Sequence, residues 1–202
     1  MRRPAQISMM AMVLSLLGFL AHAQEGGNAL RLNNFVYHSG GDFVYFPHFD
    51  YSFTDEITVA AWVRWESDPL NTITNPHEPS RSRWANLITL DYHDATDQGQ
   101  FWLQHSSGNT RFEWAVRNNN TRWYIQSTTQ PQQGCWYFIA AVYDGSPAQG
   151  TTSMRLYING VEESSVSTTQ ISGNIKTHNG HMRLNLGRIP SDYRFFDGQM
   201  DE

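Results

Sequence analysis

Short runs of strand-forming residues recur along this chain at intervals of about 8–12 residues, and this spacing restricts the fold more than any other feature. Downstream of residue 28 no helical repeat is sustained, and aromatic and β-branched residues fill the runs. Turn-forming residues separate them, and Asn159-Gly160 is typical of a type I′ hairpin. We therefore predict one all-β sandwich domain with strands near residues 29–36, 42–46, 57–65, 86–92, 100–105, 111–117, 122–126, 136–143, 153–159, 161–165 and 182–187.

Residues 57–65 and 136–143 differ from the other runs because apolar side chains occupy both alternating sets of positions. In the second run, for example, Trp136 and Tyr137 point to opposite faces. A strand that is apolar on both faces is typical of the middle of a sheet whose two sides are at least partly covered. We therefore place both runs in the middle of a sheet.

The first 23 residues have the pattern of a secretory signal peptide. Two arginines follow the first methionine, residues 7–20 are apolar, and Ala21-His22-Ala23 fits a cleavage site. A retained membrane anchor is the alternative, but the apolar segment is shorter than the roughly 20 residues that a membrane span needs. We predict a signal peptide at 1–23, a single domain at 24–202, and a protein that is secreted or displayed on the cell surface.

The charge pattern argues against a nucleic-acid partner. The chain has 14 Lys and Arg against 19 Asp and Glu, a net charge of −5, and Lys176 as its only lysine. Nucleic-acid binding needs a concentrated basic patch that neutralises phosphates, and no such run occurs after the first three residues. No segment after residue 23 is apolar for long enough to span a membrane. The single cysteine, Cys135, lies beside an apolar run, which predicts a buried side chain.

Four segments of the chain together resemble the laminin-G-like, concanavalin A-like jelly-roll domains of the pentraxin-related type found in secreted bacterial proteins. In chain order these segments are residues 29–32 with 41–44, residues 53–63, residues 136–145 with 156–160, and residues 184–188 with 196–202. The resemblance covers nearly all of the chain after the signal peptide. It implies an all-β fold, a two-sheet antiparallel jelly-roll sandwich. It says much less about function, because one fold serves many functions.

The end of the chain departs from this family pattern. Members normally continue through one more apolar strand after the acidic pair that corresponds to Asp201 and Glu202, whereas this sequence stops there. The resemblance therefore implies a domain whose last strand is missing and which is C-terminally incomplete. It also implies that other modules of the same longer polypeptide follow it.

Glycoside hydrolases share the concanavalin A-like fold, and their chemistry requires a particular arrangement of acidic residues. Retaining enzymes place two carboxylates about 5 Å apart, and on a strand this means two acidic residues pointing to the same face. Laminarinase-type members resemble this chain in fold and use a Glu-x-Asp-x-x-Glu strand, which this chain lacks. The acidic clusters at 91–97, 162–163 and 201–202 contain no such pair on a strand face. We therefore expect no catalytic activity and name no catalytic residue.

A parity pattern in three consecutive strands suggests a ligand-binding face. Phe112, Trp114 and Val116 alternate with polar residues, and the runs on either side alternate in the same way. One face is then apolar, while the other mixes aromatic rings, arginines and amides, which suit sugar hydroxyls and sugar ring faces. An ordinary solvated face is the alternative. The residues that we predict to bind a ligand are Trp102, Arg111, Glu113, Arg117, Tyr124 and Gln126.

Three functions fit these observations. The first is an exported carbohydrate-binding or adhesion module without catalytic activity, whose partner is a glycan or another cell-surface ligand. The second is a structural domain of a large surface protein that mediates protein contacts. The third is a hydrolase of the same fold. Sugar binding predicts aromatic rings exposed on a concave face, whereas a structural role predicts that these positions are covered.

A structural calcium ion is also predicted. Asp42 follows two glycines before an early strand, and Asp201 lies near the opposite end of the sequence. In domains that this chain resembles, the two ends lie side by side, and calcium prefers six to eight oxygen ligands of this kind. Asp42 and Asp201 are the predicted metal ligands, with Asn34 and Asp50 as further candidates. The alternative is that both are ordinary turn aspartates.

Overall fold

The structure, a computed structural model, describes residues 29–32, 42–47, 56–66, 84–92, 100–106, 110–118, 121–146, 153–163, 175, 182–188 and 195–202. These residues include no helix with the length and hydropathy of a membrane span. Their strands are β1 Leu30–Leu32, β2 Val44–Phe46, β3 Glu56–Trp65, β4 Ala85–Tyr92, β5 Phe101–Ser106, β6 Arg111–Asn118, β7 Thr121–Gln126, β8 Trp136–Asp144, β9 Met154–Ile158, β10 Val161–Glu162, β11 Met182–Leu186 and β12 Gly198–Asp201. The predicted signal peptide at 1–23 and the calcium candidates Asn34 and Asp50 lie outside the described residues.

The strands form two six-stranded sheets. Sheet I has the order β1-β12-β3-β8-β9-β10, and sheet II has the order β2-β11-β4-β5-β6-β7. Every pair of these strands is antiparallel, and pairs such as β1 with β12 join opposite ends of the sequence. The predicted two-sheet antiparallel jelly-roll sandwich is confirmed. The predicted position of β3 and β8 in the middle of a sheet is also confirmed.

Strand β12 is the one described strand that the pattern of strand-forming runs did not predict. Its sequence, Gly-Gln-Met-Asp, holds a single strongly apolar residue, Met200, and so gives a weak strand signal. The strand is instead defined by its pairing with β1 and β3, in which Met200 opposes Leu30 on one side and Val63 on the other. The further strand expected after Glu202 stays a prediction.

The inner faces of the two sheets enclose the hydrophobic core. Alternate residues of β3 and β6 point inward, so that Val59, Val63, Phe112 and Trp114 are completely buried, as strand alternation predicts. The Trp114 indole N–H donates a hydrogen bond of 3.1 Å to the carbonyl oxygen of Val142 in the other sheet. This bond satisfies the one polar atom of a ring that is otherwise packed in the core.

The predicted Asn159-Gly160 hairpin joins β9 to β10. Asn159 and Gly160 have φ values of 53° and 81°, and positive φ at both central residues is what a type I′ turn requires. The Asn159 side chain also accepts a hydrogen bond of 2.9 Å from the backbone N–H of Phe138. The turn residues therefore fix the end of sheet I as well as reversing the chain.

The prediction of a buried Cys135 is wrong, because its side chain is exposed. Cys135 lies in the turn before β8 rather than in the strand, and its N–H donates to the carbonyl oxygen of Gln132. The alternation that buries side chains begins only afterwards, with Tyr137 as the first buried residue of β8.

Candidate functional site

The outer face of sheet II carries the predicted polar side chains, but it is not an ordinary solvated face. Gln104 of β5 opposes Glu113 of β6, and Glu113 opposes Gln126 of β7. Asn86 of β4 continues the line as the partner of Gln104. All four residues, which we call the polar row, are between 0% and 7% exposed. The alternative of a solvated face is therefore excluded for these positions.

Glu113 is the centre of a hydrogen-bond network in the polar row. Its Oε1 atom accepts a bond of 2.5 Å from Gln104 Nε2, and its Oε2 atom accepts one of 2.8 Å from Gln126 Nε2. The Arg122 guanidinium forms a salt bridge with Oε1. A buried carboxylate is tolerated only when it is paired and hydrogen-bonded, and these three donors meet that condition. The network ties β5, β6 and β7 together.

Aromatic rings and arginines lie beside the polar row. The guanidinium carbon of Arg122 lies 5.4 Å from the ring centre of Trp102, 5.6 Å from that of Tyr124 and 5.9 Å from that of Trp84. Arg117 lies over the Trp102 ring as well, at 5.6 Å. These distances are typical of cation–π contacts. We call these five residues the aromatic–arginine cluster.

The structure brings together five of the six residues that were predicted to bind a ligand. Glu113 and Gln126 belong to the polar row, and Trp102, Arg117 and Tyr124 belong to the aromatic–arginine cluster. The sixth, Arg111, lies at the start of β6, where its Nη1 atom donates a bond of 2.8 Å to the carbonyl oxygen of Ser127. Its guanidinium is thus bound to the backbone after β7.

The expectation that Trp102 offers an exposed ring is wrong, because its side chain is only 3% exposed. The arginines of β6 and β7 explain part of this burial, since Arg117 and Arg122 both lie over its ring. Tyr124 is half-buried. The accessible part of the cluster therefore lies at Arg122, whose side chain is 28% exposed, and at the half-buried rings of Tyr124 and Trp84.

Several residues of this site were not among the predicted ones. Strand alternation had placed Gln104 and Arg122 on the outer face, but nothing in the sequence marked them as partners of Glu113. Trp84 directly precedes β4, and no alternation pattern includes it. Asn86 lies next to an irregularity of the β4–β5 ladder between Asn86 and Ile88, so simple alternation does not predict its pairing with Gln104.

Three buried amide atoms on this face lack a hydrogen-bond partner in the part of the chain that the structure describes. They are the Nδ2 atom of Asn86, the Oε1 atom of Gln104 and the Oδ1 atom of Asn185. Most buried polar atoms in proteins bind protein or water. Because Asn86 and Gln104 oppose each other, a donor and an acceptor occupy neighbouring positions. A hydroxyl group, which both accepts and donates, matches such a pair.

The carboxylate of Glu113 has no second carboxylate at the adjoining positions of its face. The residues opposite it are the amides Gln104 and Gln126, and the next residues on the same face of β6 are Arg111 and Ala115. Retaining glycosidases hold two carboxyl groups about 5–5.5 Å apart. The carboxylate of Glu113 is 1% exposed and already accepts from Gln104, Arg122 and Gln126, so in this structure it serves the hydrogen-bond network of the sheet.

The two predicted calcium ligands lie in or beside strands of different sheets. Asp42 is exposed just before β2 of sheet II, whereas Asp201 is half-buried in β12 of sheet I. The Asp201 carboxylate accepts a bond of 2.9 Å from the backbone N–H of Glu202. No group of three or more His, Cys, Asp or Glu side chains suited to a metal ion occurs among the described residues. A site made of two carboxylates, carbonyl oxygens and water is not tested by this observation, and the calcium site stays a prediction.

Comparison with known families identifies the fold group. A laminin G sequence profile, described as the concanavalin A-like lectin/glucanases superfamily, matches residues 38–202. The chain belongs to this superfamily. The resemblance inferred from the four sequence segments is thereby confirmed. No curated protein sequence matches the chain with significant similarity.

Solved structures of other proteins share the superfamily fold. A heptameric SAP-like pentraxin from Limulus polyphemus has 12% identity and a TM-score of 0.50, over 78% of this chain and 67% of the pentraxin. Domains LG4-5 of the mouse laminin alpha1 chain have 13% identity and a TM-score of 0.53, over 79% of this chain and 38% of the laminin chain. A putative carbohydrate binding protein from Bacteroides ovatus has 15% identity and a TM-score of 0.51, over 86% of this chain and 41% of the Bacteroides protein. At these identities the similarity concerns the fold alone.

Proposed function

We propose that this domain is a carbohydrate-binding module without catalytic activity of its own, and that the outer face of sheet II holds the glycan. The observation that carries the proposal is the arrangement of the polar row beside the aromatic–arginine cluster. Buried amides and a carboxylate are expensive to maintain for packing alone, because apolar side chains fill such a layer at lower cost. Membership of a superfamily that includes lectins supports the same conclusion.

The chemistry of the face matches that of a sugar. Aromatic rings with polar neighbours suit sugars, whose rings present apolar C–H faces and hydroxyl groups at their edges. Tyr124 and Trp84 offer such rings, and Arg122 offers guanidinium N–H groups between them. The unpartnered donor of Asn86 and acceptor of Gln104 match one hydroxyl group in chemistry, but both residues are fully buried, so a sugar reaches them only if their cover moves. The similarity in fold to a putative carbohydrate binding protein agrees with this assignment.

A binding role without catalysis is supported by the surroundings of Glu113. Hydrolysis needs one carboxyl group to protonate the leaving group and another to attack or to activate water. The positions next to Glu113 on its face hold amides, an arginine and an alanine. A hydrolase would therefore have to draw its second acid from elsewhere in the protein, and steady release of sugar from a polysaccharide would refute our proposal.

A structural protein-contact domain is the second candidate, and the burial of Trp102 favours it. A ring that is 3% exposed and covered by two arginines acts as a packing element of its own domain. In this alternative the polar row stabilises sheet II and binds nothing. The two functions differ in a simple measurement, because only the first requires affinity for isolated glycans.

A glycan array probed with the purified protein tests the proposed function. We expect binding to a defined set of glycans, and we expect Tyr124→Ala and Arg122→Ala to weaken it at least about tenfold, which corresponds to about 1.4 kcal/mol. Val161→Ala is the control, because Val161 is exposed on β10 of the other sheet. Absence of binding to every glycan favours the structural role instead, whereas equal glycan binding by all variants means that the outer face of sheet II does not hold the glycan.

We also propose that the domain acts outside the cell, on a glycan or another surface ligand. The signal-like pattern of residues 1–23 supports export. Expression in a bacterium with an intact secretion pathway, followed by N-terminal sequencing of the exported protein, tests this point. We expect the mature protein to begin at Gln24, directly after the small residue Ala23.

A further inference from the structure

A second aromatic surface lies on the outer face of sheet I, the other sheet of the sandwich. Trp62 of β3 and Trp136 of β8 are 39% and 37% exposed. Phe138 of β8 opposes Trp62, and their ring centres lie 5.3 Å apart. We call these three residues the tryptophan patch. Sequence analysis had assigned both strands to the middle of a sheet, and the patch is where the cover on their outer side is incomplete.

Polar side chains occupy the positions next to the tryptophan patch. Arg64 of β3 opposes Trp136, and Gln199 of β12 opposes Arg64. Asp201 of β12 opposes Trp62. The Nε atom of Arg64 is buried and has no hydrogen-bond partner within the described ranges. A guanidinium, an amide and a carboxylate thus surround two partly exposed indole rings.

We propose that the tryptophan patch is a second carbohydrate-binding surface, separate from the one proposed on sheet II. An indole ring gives a flat apolar face on which the C–H face of a sugar can stack. The neighbouring Arg64 supplies donors and Asp201 supplies acceptors for the hydroxyl groups at the sugar's edge, while the Gln199 amide, whose Nε2 atom donates to Glu66, offers its oxygen. The patch therefore combines the two kinds of contact that a sugar needs within adjoining strands of one sheet.

The size of the patch favours a glycan over a protein partner or a second copy of the chain. A tryptophan side chain has a surface of roughly 250 Å², and about two fifths of it is exposed in Trp62 and in Trp136. The two side chains together therefore expose about 200 Å² of mainly apolar surface. A stable protein interface buries about 800 Å² on each partner. Within the described residues, the only other large apolar side chains that are exposed are Tyr45 and Val161, on strands outside the patch. The exposed apolar area of the patch is thus about a quarter of the surface that one partner buries in a stable protein interface, and it is large enough for part of a sugar chain.

Two binding surfaces on opposite sheets have a functional consequence. The outer faces of a sandwich point away from each other, so a single sugar residue cannot contact both surfaces. One domain can then hold two glycan chains, and simultaneous binding raises its apparent affinity for a polysaccharide surface. The proposed second surface thus makes the domain a cross-linker of polysaccharide rather than a monovalent binder.

The seven tryptophans allow the two surfaces to be observed separately. Protein labelled with 5-fluorotryptophan gives one fluorine NMR resonance for each tryptophan, assigned with single Trp→Phe variants. The probes are soluble xylan, mannan, β-1,3-glucan and chitooligosaccharides. We expect at least one of them to shift the resonances of Trp62 and Trp136, while that of the buried Trp114 stays unchanged. Shifts of Trp84 or Trp102 report on sheet II, so that either proposal can fail while the other holds.

Variants of the patch complete the test. Trp62→Ala and Trp136→Ala should each weaken binding of the active probe by about threefold to tenfold. Val161→Ala, on the exposed strand β10 of the same sheet, should bind as the parent protein does. If no probe shifts the Trp62 and Trp136 resonances, the proposal is wrong. Shifts that follow protein concentration alone also overturn it, because they indicate self-association through the patch.

Discussion

The Glu163 carboxylate accepts hydrogen bonds from both the backbone N–H and the hydroxyl group of Thr128. Glu163 directly follows β10 of sheet I, whereas Thr128 follows β7 of sheet II, so the contact joins the edges of the two sheets. Thr129 adds a bond of 3.1 Å from its N–H and one of 2.6 Å from its hydroxyl group. Both strands lie at the same end of the sandwich, and four donors hold one carboxylate between them.

The first prediction is a pH-dependent loss of stability at this contact. Partial burial raises the pKa of Glu163, but the hydrogen bonds from Thr128 and Thr129 outweigh it, so the pKa is lowered from its ordinary value of 4.5. Because the folded state binds the proton less readily than the unfolded state, the stabilisation is fully present above about pH 4.5. It is lost as the pH falls through the lowered folded pKa. We expect Glu163→Gln to cost about 1 kcal/mol at pH 7 and almost nothing at low pH.

Urea unfolding curves of the parent protein and of Glu163→Gln between pH 3 and pH 7 measure this difference. Glu162→Gln is the matched control, because the neighbouring Glu162 is exposed. The control should change stability little at any pH. A difference between parent and Glu163→Gln that stays constant across this range contradicts the assignment.

The second prediction concerns the polar row. Glu113→Gln keeps the shape of the side chain but leaves the Arg122 guanidinium without its carboxylate and places an amide N–H₂ group opposite the donor of either Gln104 or Gln126. We expect a loss of about 2 kcal/mol in the free energy of unfolding, because a buried network is left partly unsatisfied. Glu56→Gln, at the exposed start of β3, should cost less than about 0.5 kcal/mol. Equal effects of the two substitutions in chemical denaturation would mean that Glu113 does not hold the three strands together.

The third prediction separates packing from binding among the tryptophans. Trp102→Ala should destabilise the domain by about 3–5 kcal/mol, because the ring is buried beneath Arg117 and Arg122. Trp62→Ala should cost no more than about 1 kcal/mol, since its ring is 39% exposed. Thermal melting of both variants measures the contrast. A Trp102→Ala protein that melts like the parent would show that this ring does not support the fold of sheet II.

The residues that the sequence predicted best are those whose environment depends on alternation alone. Phe112, Trp114 and Val116 point into the core as predicted, because the two-residue period of a strand decides which face they occupy. Alternation does not predict which side chains of neighbouring strands lie over the opposite, outer face. Trp102 was assigned correctly to the outer face, yet its burial depends on arginines from two other strands.

The candidate site could be predicted only in part for the same reason. Glu113 and Gln126 were predicted because strand alternation places them on the mixed outer face, but their pairing with each other and with Gln104 is defined by cross-strand register. Register depends on turn lengths and on irregularities such as the one beside Asn86, which a local pattern does not contain. The tryptophan patch was missed because a strand that is apolar on both faces predicts cover on both sides.

The fourth prediction tests the proposed calcium ion. If Asp42 and Asp201 share an ion, calcium at about 100 times its Kd should stabilise the fold by about 2.7 kcal/mol, and chelation should reverse the gain. Asp42→Ala and Asp201→Ala should then each abolish the calcium-dependent rise in Tm. Loss of the effect in only one variant would mean that Asp42, just before β2, and Asp201, in β12, do not share a site. Identical melting curves with calcium and with chelator would refute the ion altogether.

The last prediction concerns Gly198, the first residue of β12. A Cβ atom at this position would overlap the carbonyl oxygen of Arg64 on β3 and would lie 2.5 Å from Cζ of Phe196. Neither neighbour can move freely, because Arg64 belongs to the ladder with β12 and the Phe196 ring packs at 5.0 Å, edge to face, on the Trp65 ring. We therefore expect Gly198→Ala to cost about 3 kcal/mol and to speed hydrogen exchange in β12 and its partner β1.

Gly160→Ala is the control for this substitution. Gly160 has a φ of +81° but open space around it, so alanine there costs only the backbone strain of about 1–2 kcal/mol. Its effect on hydrogen exchange should stay within the β9–β10 hairpin. Calorimetry gives the two stability losses, and exchange measured by mass spectrometry locates them. If Gly198→Ala leaves exchange in β1 and β12 at the parent rate, close packing at Gly198 does not hold β12 between β1 and β3, and a different contact must keep the two ends of the sequence together.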